Sequence, residues 1–160
     1  MNIAIILSGG VGSRMNLDIP KQYVQVNHQP IINYCLRTFL DNSLTDAIII
    51  GVAHEWKAFV QEYVEKLHPH KPIYYAQPGE TRQYSIFNAL KTAKECGCAD
   101  DDLVIIHDAA RPLVSQALIN ACYEGCQEAD GVMPVIPVKD TTYLSEDGKH
   151  IQQLLNRSHL

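Results

Sequence analysis

Five short runs rich in β-branched and aliphatic residues punctuate the chain: Asn2–Leu7, Ala47–Val52, Ile73–Ala76, Leu103–His107 and Gly131–Val135. Each reads as a buried strand. Between them lie four longer amphipathic segments, Pro30–Leu40, Glu55–Leu67, Thr81–Cys96 and Ser115–Ala129, which read as helices. The third of these carries Tyr84, Phe87, Leu90 and Ala93 at helical spacing, the stripe that a core-facing helix shows. Strands that alternate with helices predict an α/β fold, a mostly parallel sheet with helices on both faces. In such sheets ligands bind outside the carboxyl ends of the strands. Function should therefore reside in the residues just after each strand.

With 160 residues, the sequence predicts one domain over residues 1–160, large enough to bury a core without a disulfide or metal staple. An apolar content of 46% argues against intrinsic disorder, and no apolar run approaches the roughly 20 residues of a membrane span. Thirteen Lys and Arg against eighteen Asp and Glu give a formal charge of −5, which leaves no basic footprint for nucleic acid. Any anionic ligand must then be held by a local cluster of positive charge. The opening Met1-Asn-Ile-Ala-Ile-Ile-Leu7 lacks the basic flank of a signal peptide and breaks at once into Ser-Gly-Gly. Five cysteines, Cys35, Cys96, Cys98, Cys122 and Cys126, are scattered through apolar segments without zinc-ligand spacing. That pattern suits reduced thiols and predicts a cytoplasmic protein. Asp100-Asp101-Asp102 reads as a solvated turn.

After the fifth run the alternation stops. Residues 138–157 have Asp147-Gly148 at their centre, the commonest short hairpin signal. An isolated hairpin is marginally stable in water, so this arm is expected to pack on something, a partner subunit being one candidate.

Three segments carry the chemistry. The first run empties into Leu7-Ser8-Gly9-Gly10-Val11-Gly12-Ser13-Arg14-Met15, with Pro20-Lys21 following. Its glycines allow a tight turn whose N–H groups can approach a phosphate chain. Neither the Gly-Lys-Ser/Thr of a Walker loop nor the third glycine of a dinucleotide fingerprint is there. Arg14 can instead clamp phosphate oxygens in a fork, and Lys21 adds a compact charge. On this loop alone, a glycine turn with two solvated cations is the alternative. The second segment, Gly79-Glu80-Thr81-Arg82-Gln83-Tyr84-Ser85, places Thr81 as an N-cap. Its helix start can offer free N–H groups to a ligand, although by itself it reads better as a well-capped helix. The third is His107-Asp108-Ala109-Ala110-Arg111-Pro112. A strand ending in Asp commonly puts a carboxylate on Mg²⁺ or ribose at the sheet's rim, and the alternative is a turn-forming Asp108. Arg111 can hold a second anion, and His107 reads as a packed strand-end residue. No nucleophile dyad stands out. A phosphate attacking phosphorus needs none, because it is already ionised and its reaction rests on positioning and charge neutralisation.

These segments resemble the nucleotidyltransferase superfamily, whose signature is a GGxGxR loop followed by Pro-Lys. More closely, Leu7–Met15, Pro20-Lys21-Gln22, Gly79–Ser85, His107–Pro112, Pro137–Thr141 and Asn156-Arg157 resemble the 2-C-methyl-D-erythritol 4-phosphate and ribitol-5-phosphate cytidylyltransferases. The resemblance implies a Rossmann-like nucleotidyltransferase fold with a protruding β-arm. It also implies transfer of CMP from CTP to a sugar-alcohol phosphate, with Mg²⁺ and release of pyrophosphate. Arg14 and Lys21 would be catalytic. Leu7, Ser8, Gly9, Gly10, Val11, Gly12 and Ser13 would hold the nucleotide, with Gly79, Glu80, Arg82, Ser85, Asp108 and Ala109. Asp108 would also face the metal. Arg111, Thr141 and Arg157 would meet the second substrate, the last two across a homodimer interface formed by the arm.

Some residues depart from the family pattern. Pro78 stands where a first glycine is usual, and Asn156 replaces a common Asp. The chain stops at Leu160, ahead of a Thr-Pro-Gln segment, a further metal-binding Asp and a substrate Lys, which implies truncation at the C-terminus. Residues 81–85, 107–112 and 137–141 look more like the methylerythritol enzymes of isoprenoid precursor synthesis. Residues 7–10 and Trp56 look more like the ribitol enzymes, which make CDP-ribitol for cell-surface polymers. The expectation is methylerythritol phosphate as acceptor, with ribitol 5-phosphate as the alternative. A non-catalytic nucleotide-binding or dimerisation fragment is the alternative from another class.

Overall fold

Branched side chains such as those of Ile48, Ile49 and Ile50 pack well on a pleated surface, and here they line the inside of a sheet. The structure is a computed structural model, and it describes residues 1–10 and 19–159. Strand β1 (Asn2–Leu7) precedes a 3-10 turn (Lys21–Tyr23) and a small ribbon of β2 (Gln25–Val26) and β3 (Gln29–Pro30). Then come α1 (Ile31–Asp41), β4 (Ala47–Gly51), α2 (His54–Glu65), β5 (Ile73–Ala76), α3 (Arg82–Glu95), β6 (Leu103–Asp108) and α4 (Gln116–Gly125). Strands β5, β4, β1 and β6, in that spatial order, form one parallel sheet. The expected α/β architecture is therefore the observed one.

Successive strand residues point to opposite faces, and each face has its own core. Ala4, Ile6, Ile48 and Ile50 pack with Ile32, Leu36 and Phe39 of α1, Val60 and Val64 of α2, and Ile119 and Tyr123 of α4. Ile3, Ile5, Ala47 and Ile49 pack on the other face with Ala89 and Ala93 of α3. The register brings the strand ends level: Leu7 pairs with Gly51 and Asp108, and Gly51 pairs with Ala76. Every loop that leaves a strand's carboxyl end thus starts from one row. Among the described residues no helix is long and apolar enough to cross a membrane.

Four expectations need correction. The Tyr84, Phe87 and Leu90 stripe faces solvent, Tyr84 being 61% and Phe87 52% exposed. Ala93 of the expected stripe does meet the sheet, together with Ala89, and their small side chains suit close approach of helix to strands. Residues 131–135 form no strand and are exposed. They have the propensity, but Pro134 among them lacks an N–H for a ladder. Helix α4 ends at Gly125 rather than continuing to residue 129. The arm does form a hairpin, β7 (Tyr143–Leu144) with β8 (Gln153–Leu154). Its loop is longer than a two-residue turn, because Asp147 Oδ1 accepts from the N–H groups of Lys149 and His150 and folds the tip locally, with Gly148 at φ +68°.

Candidate active site at the carboxyl edge of the sheet

The ladder runs one residue past the strands. Ser8 N–H donates to Gly51 O at 2.8 Å, and Ala109 N–H donates to Leu7 O at 3.0 Å. These bonds fix where the loop after β1 and the turn after β6 begin. The loop after β1 is then held by two buried side chains from the 3-10 turn. Gln22 Nε2 donates to the carbonyls of Ser8 (2.7 Å) and Gly10 (2.8 Å). Tyr23 O–H donates to Ser8 O at 2.9 Å and accepts from Ser8 Oγ at 2.7 Å. Burial pushes the Tyr23 phenol above its ordinary pKa, so it remains a neutral donor. Lys21, next to Gln22, is exposed.

Across the edge, the turn after β5 closes on this loop. A Cβ on Gly9 would come within 2.4 Å of Pro78 Cβ, so the close approach requires glycine. Gly79 is equally confined, with Tyr84 Cβ 2.3 Å from where its Cβ would stand. Ser85 Oγ accepts from Gly79 N–H (3.0 Å) and donates to Thr81 O (2.9 Å). Thr81 is the expected N-cap, its side chain accepting from Tyr84 N–H. That bond removes one of the amides expected to be free for a ligand. Glu80 is exposed beside this turn.

Arg82 reaches from the start of α3 to the end of β6, where Nη2 donates to Asp108 Oδ1 at 3.1 Å. Arg111 Nε donates to Asp108 Oδ2, also at 3.1 Å. One carboxylate therefore bridges two guanidinium groups on the same rim as the glycine loop. His107 is packed against the Phe39 ring and its Nε2 meets Arg111 O at 2.9 Å. Burial lowers its pKa, which makes it a neutral structural residue, as expected.

Leu7, Ser8, Gly9, Gly10, Lys21, Gly79, Glu80, Arg82, Ser85, Asp108, Ala109 and Arg111 thus all belong to the carboxyl edge or the segments bound to it. Val11, Gly12, Ser13 and Arg14 lie outside the described residues. Thr141 and Arg157 lie together at the base of the arm, where Arg157 donates to Lys139 O and Leu155 N–H to Thr142 O. Among the described residues no hydrogen bond or ion pair joins either of them to the sheet edge. Gln22 and Tyr23 had no assigned role in the sequence, although Gln22 directly follows the Pro20-Lys21 pair. Among the described residues no group of three His, Cys, Asp or Glu could by itself hold a metal. Mg²⁺ commonly takes one or two carboxylates together with substrate phosphates, a role for which the rim carboxylate of Asp108 has the right chemistry.

Comparison with known proteins shows the family. The family model described as IspD: 2-C-methyl-D-erythritol 4-phosphate cytidylyltransferase matches residues 2–160. The chain belongs to that family. A ribitol-5-phosphate cytidylyltransferase of Streptococcus agalactiae is 33% identical over 159 residues, 99% of this chain and 66% of the relative. A 2-C-methyl-D-erythritol 4-phosphate cytidylyltransferase of Lachnospira eligens is 37% identical over 146 residues, 91% of this chain and 62% of the relative. This IspD-family chain thus spans just under two thirds of the length of these relatives. Among solved structures, a 4-diphosphocytidyl-2C-methyl-D-erythritol synthase from Anaerococcus prevotii superposes with a TM-score of 0.80 at 22% identity, covering 99% of this chain and 66% of that one. The likeness shows a shared fold.

Proposed function

We propose that this chain carries the nucleotide-binding and phosphorus-attack machinery of a CTP-dependent cytidylyltransferase. Its acceptor would be a sugar-alcohol phosphate, with 2-C-methyl-D-erythritol 4-phosphate as first choice. The observation that carries the reading is the convergence, on one sheet edge, of a glycine loop, Lys21 and the Arg82–Asp108–Arg111 cluster. In the reaction, an oxygen of the acceptor's phosphate forms a bond to the α-phosphorus of CTP. The bond from that phosphorus to the bridging oxygen breaks, and its electron pair leaves with pyrophosphate. No proton has to be removed from the attacking group. The loop holds the phosphate chain, Lys21 and Arg14 neutralise charge that grows at the α-phosphorus, and residues 79–85 face the base. Arg111 orients the acceptor phosphate. Asp108 would hold Mg²⁺, which when bound neutralises polyphosphate charge. Asp108 would then exchange its two guanidinium partners for the nucleotide complex, leaving Arg82 and Arg111 free to meet phosphates.

A homodimer is part of the proposal. Tyr143, Leu144, Ile151 and Leu154 leave the arm with exposed apolar side chains on a two-rung hairpin, and a second copy would cover them while receiving Thr141 and Arg157. Light scattering should report a dimer, and a monomer would remove this part.

Pyrophosphate release from CTP and Mg²⁺ with each acceptor tests the activity. Turnover with ribitol 5-phosphate alone would favour the second reading, which the relative from S. agalactiae supports. CTP binding without pyrophosphate release at saturating acceptor would favour a binding module, a reading motivated by the span of just under two thirds of the relatives' length.

A further inference from the structure

Gln22 is 3% exposed, and its amide nitrogen donates to two backbone carbonyls of the loop after β1, those of Ser8 and Gly10. Only the NH₂ end of the amide can satisfy two acceptors at once. The carbonyl of a trans peptide and the N–H of the next residue point in opposite directions. Turning the Ser8 carbonyl toward Gln22 therefore turns the Gly9 N–H the other way, away from the Gln22 side chain. Tyr23 adds a second donor to the same Ser8 carbonyl and takes the Ser8 hydroxyl. The stacked Trp56 ring, 4.8 Å away, and the Phe59 ring fix the Tyr23 ring in turn. Because Gln22 follows Lys21 directly, one short 3-10 turn sets both the loop's peptide orientation and the backbone from which the lysine projects.

We infer that Gln22 is a positioning residue for polyphosphate binding: its carboxamide, backed by Tyr23, holds the Ser8 and Gly10 carbonyls and so turns the Gly9 amide toward the phosphate chain, with Lys21 in step. This rests on the nucleotide-binding reading above and adds to it a residue that touches no substrate. Gln22→Glu keeps the size but sets a carboxylate against two carbonyl oxygens. Gln22→Met keeps the length and removes both donors. Tyr23→Phe keeps the ring and removes only the hydroxyl.

The test is calorimetric titration of the chain and these three variants with CTP, CMP and inorganic tripolyphosphate, each with Mg²⁺, alongside melting curves. Both Gln22 variants should bind CTP and tripolyphosphate about tenfold or more weakly, as an unpaired buried carbonyl that reorients the loop would cause. CMP, with one phosphate, should be affected far less. Tyr23→Phe should show the same selectivity with a smaller loss. A merely structural role would lower the melting temperature and weaken all three ligands alike, and that result overturns the inference. So does unchanged tripolyphosphate affinity in folded Gln22→Met. If the unsubstituted chain binds tripolyphosphate but not CTP, the cytidylyl reading fails while the positioning role can still be read. If it binds neither, both are wrong.

Discussion

Two glycine-bearing turns leave the same edge of the sheet and are held in opposite ways. Residues 8–10 are fixed from outside, by side chains 12 to 15 positions further on that take the loop's carbonyls. Residues 79–85 are fixed from within, by Ser85 and Thr81, which take the N–H groups of Gly79 and Tyr84. The difference underlies the proposed choice of the first turn for the anion. In the first turn side chains take the carbonyls while the Ser8 N–H serves the sheet ladder, whereas the second turn spends the Gly79 and Tyr84 N–H groups on its own side chains. In the proposed function the phosphate chain meets the first turn, and the second faces the uncharged part of the nucleotide.

The strongest challenge to that division is removal of the charges beside the first turn. Lys21→Ala or Arg14→Ala should lower kcat by ~10²-fold or more, as loss of a preorganised charge does. Near-normal pyrophosphate release in both would return the first turn to a plain structural loop. Next in size is Gly79→Ala, whose added Cβ meets Tyr84 Cβ at 2.3 Å and the Tyr84 carbonyl carbon at 2.8 Å. Backbone cannot step aside as a flexible side chain can, so urea unfolding should show a loss of about 1–3 kcal/mol. Gly9→Ala meets only the Pro78 ring, at 2.4 and 2.8 Å. Pairing it with Pro78→Gly should therefore recover stability, and a double-mutant cycle should give a coupling of roughly 1 kcal/mol. Strict additivity would mean that the two turns do not press on each other. Thr81→Ala removes the cap that closes the second turn and should cost about 1 kcal/mol in the same unfolding measurement. The smallest stability effect belongs to Asp108→Asn. Its ion pairs with Arg82 and Arg111 are largely solvent-exposed, so the loss should be no more than about 1 kcal/mol, although turnover should fall.

The four sheet strands were legible because their β-branched runs are bounded by turns and joined by helices, as at Ile48–Ile50 and Leu103–Asp108. The rim followed from them, since Asp108 and Gly9 stand just beyond strand ends in the sequence itself. What failed was inference from propensity where packing decides. Tyr84, Phe87 and Leu90 have the periodicity of a buried stripe, but of that stripe the sheet accepts Ala93, paired with Ala89. Val132 and Val135 have the side chains of a strand, but Pro134 between them has no N–H to give a ladder. The Asp147-Gly148 pair does mark a hairpin, yet the carboxylate of Asp147 captures backbone amides at the tip and lengthens the loop. Gln22 was silent for a different reason. A lone glutamine looks like a surface residue until the fold turns two carbonyls toward it.

The position of β1 has a consequence for the order in which the protein forms. It is the first strand in the chain but lies inside the sheet, between β4 and β6. Its partners enter 44 residues later on one side, where Ile3 meets Ala47, and 101 residues later on the other, where Asn2 meets Leu103. During synthesis β1 can acquire its first neighbour early but must keep its other edge unpaired until β6 has emerged. Contacts so distant in sequence slow folding, and an open, isoleucine-rich edge is where premature association begins. The same strand that later delivers the glycine loop to its site is thus the one most in need of protection while the chain is still being made.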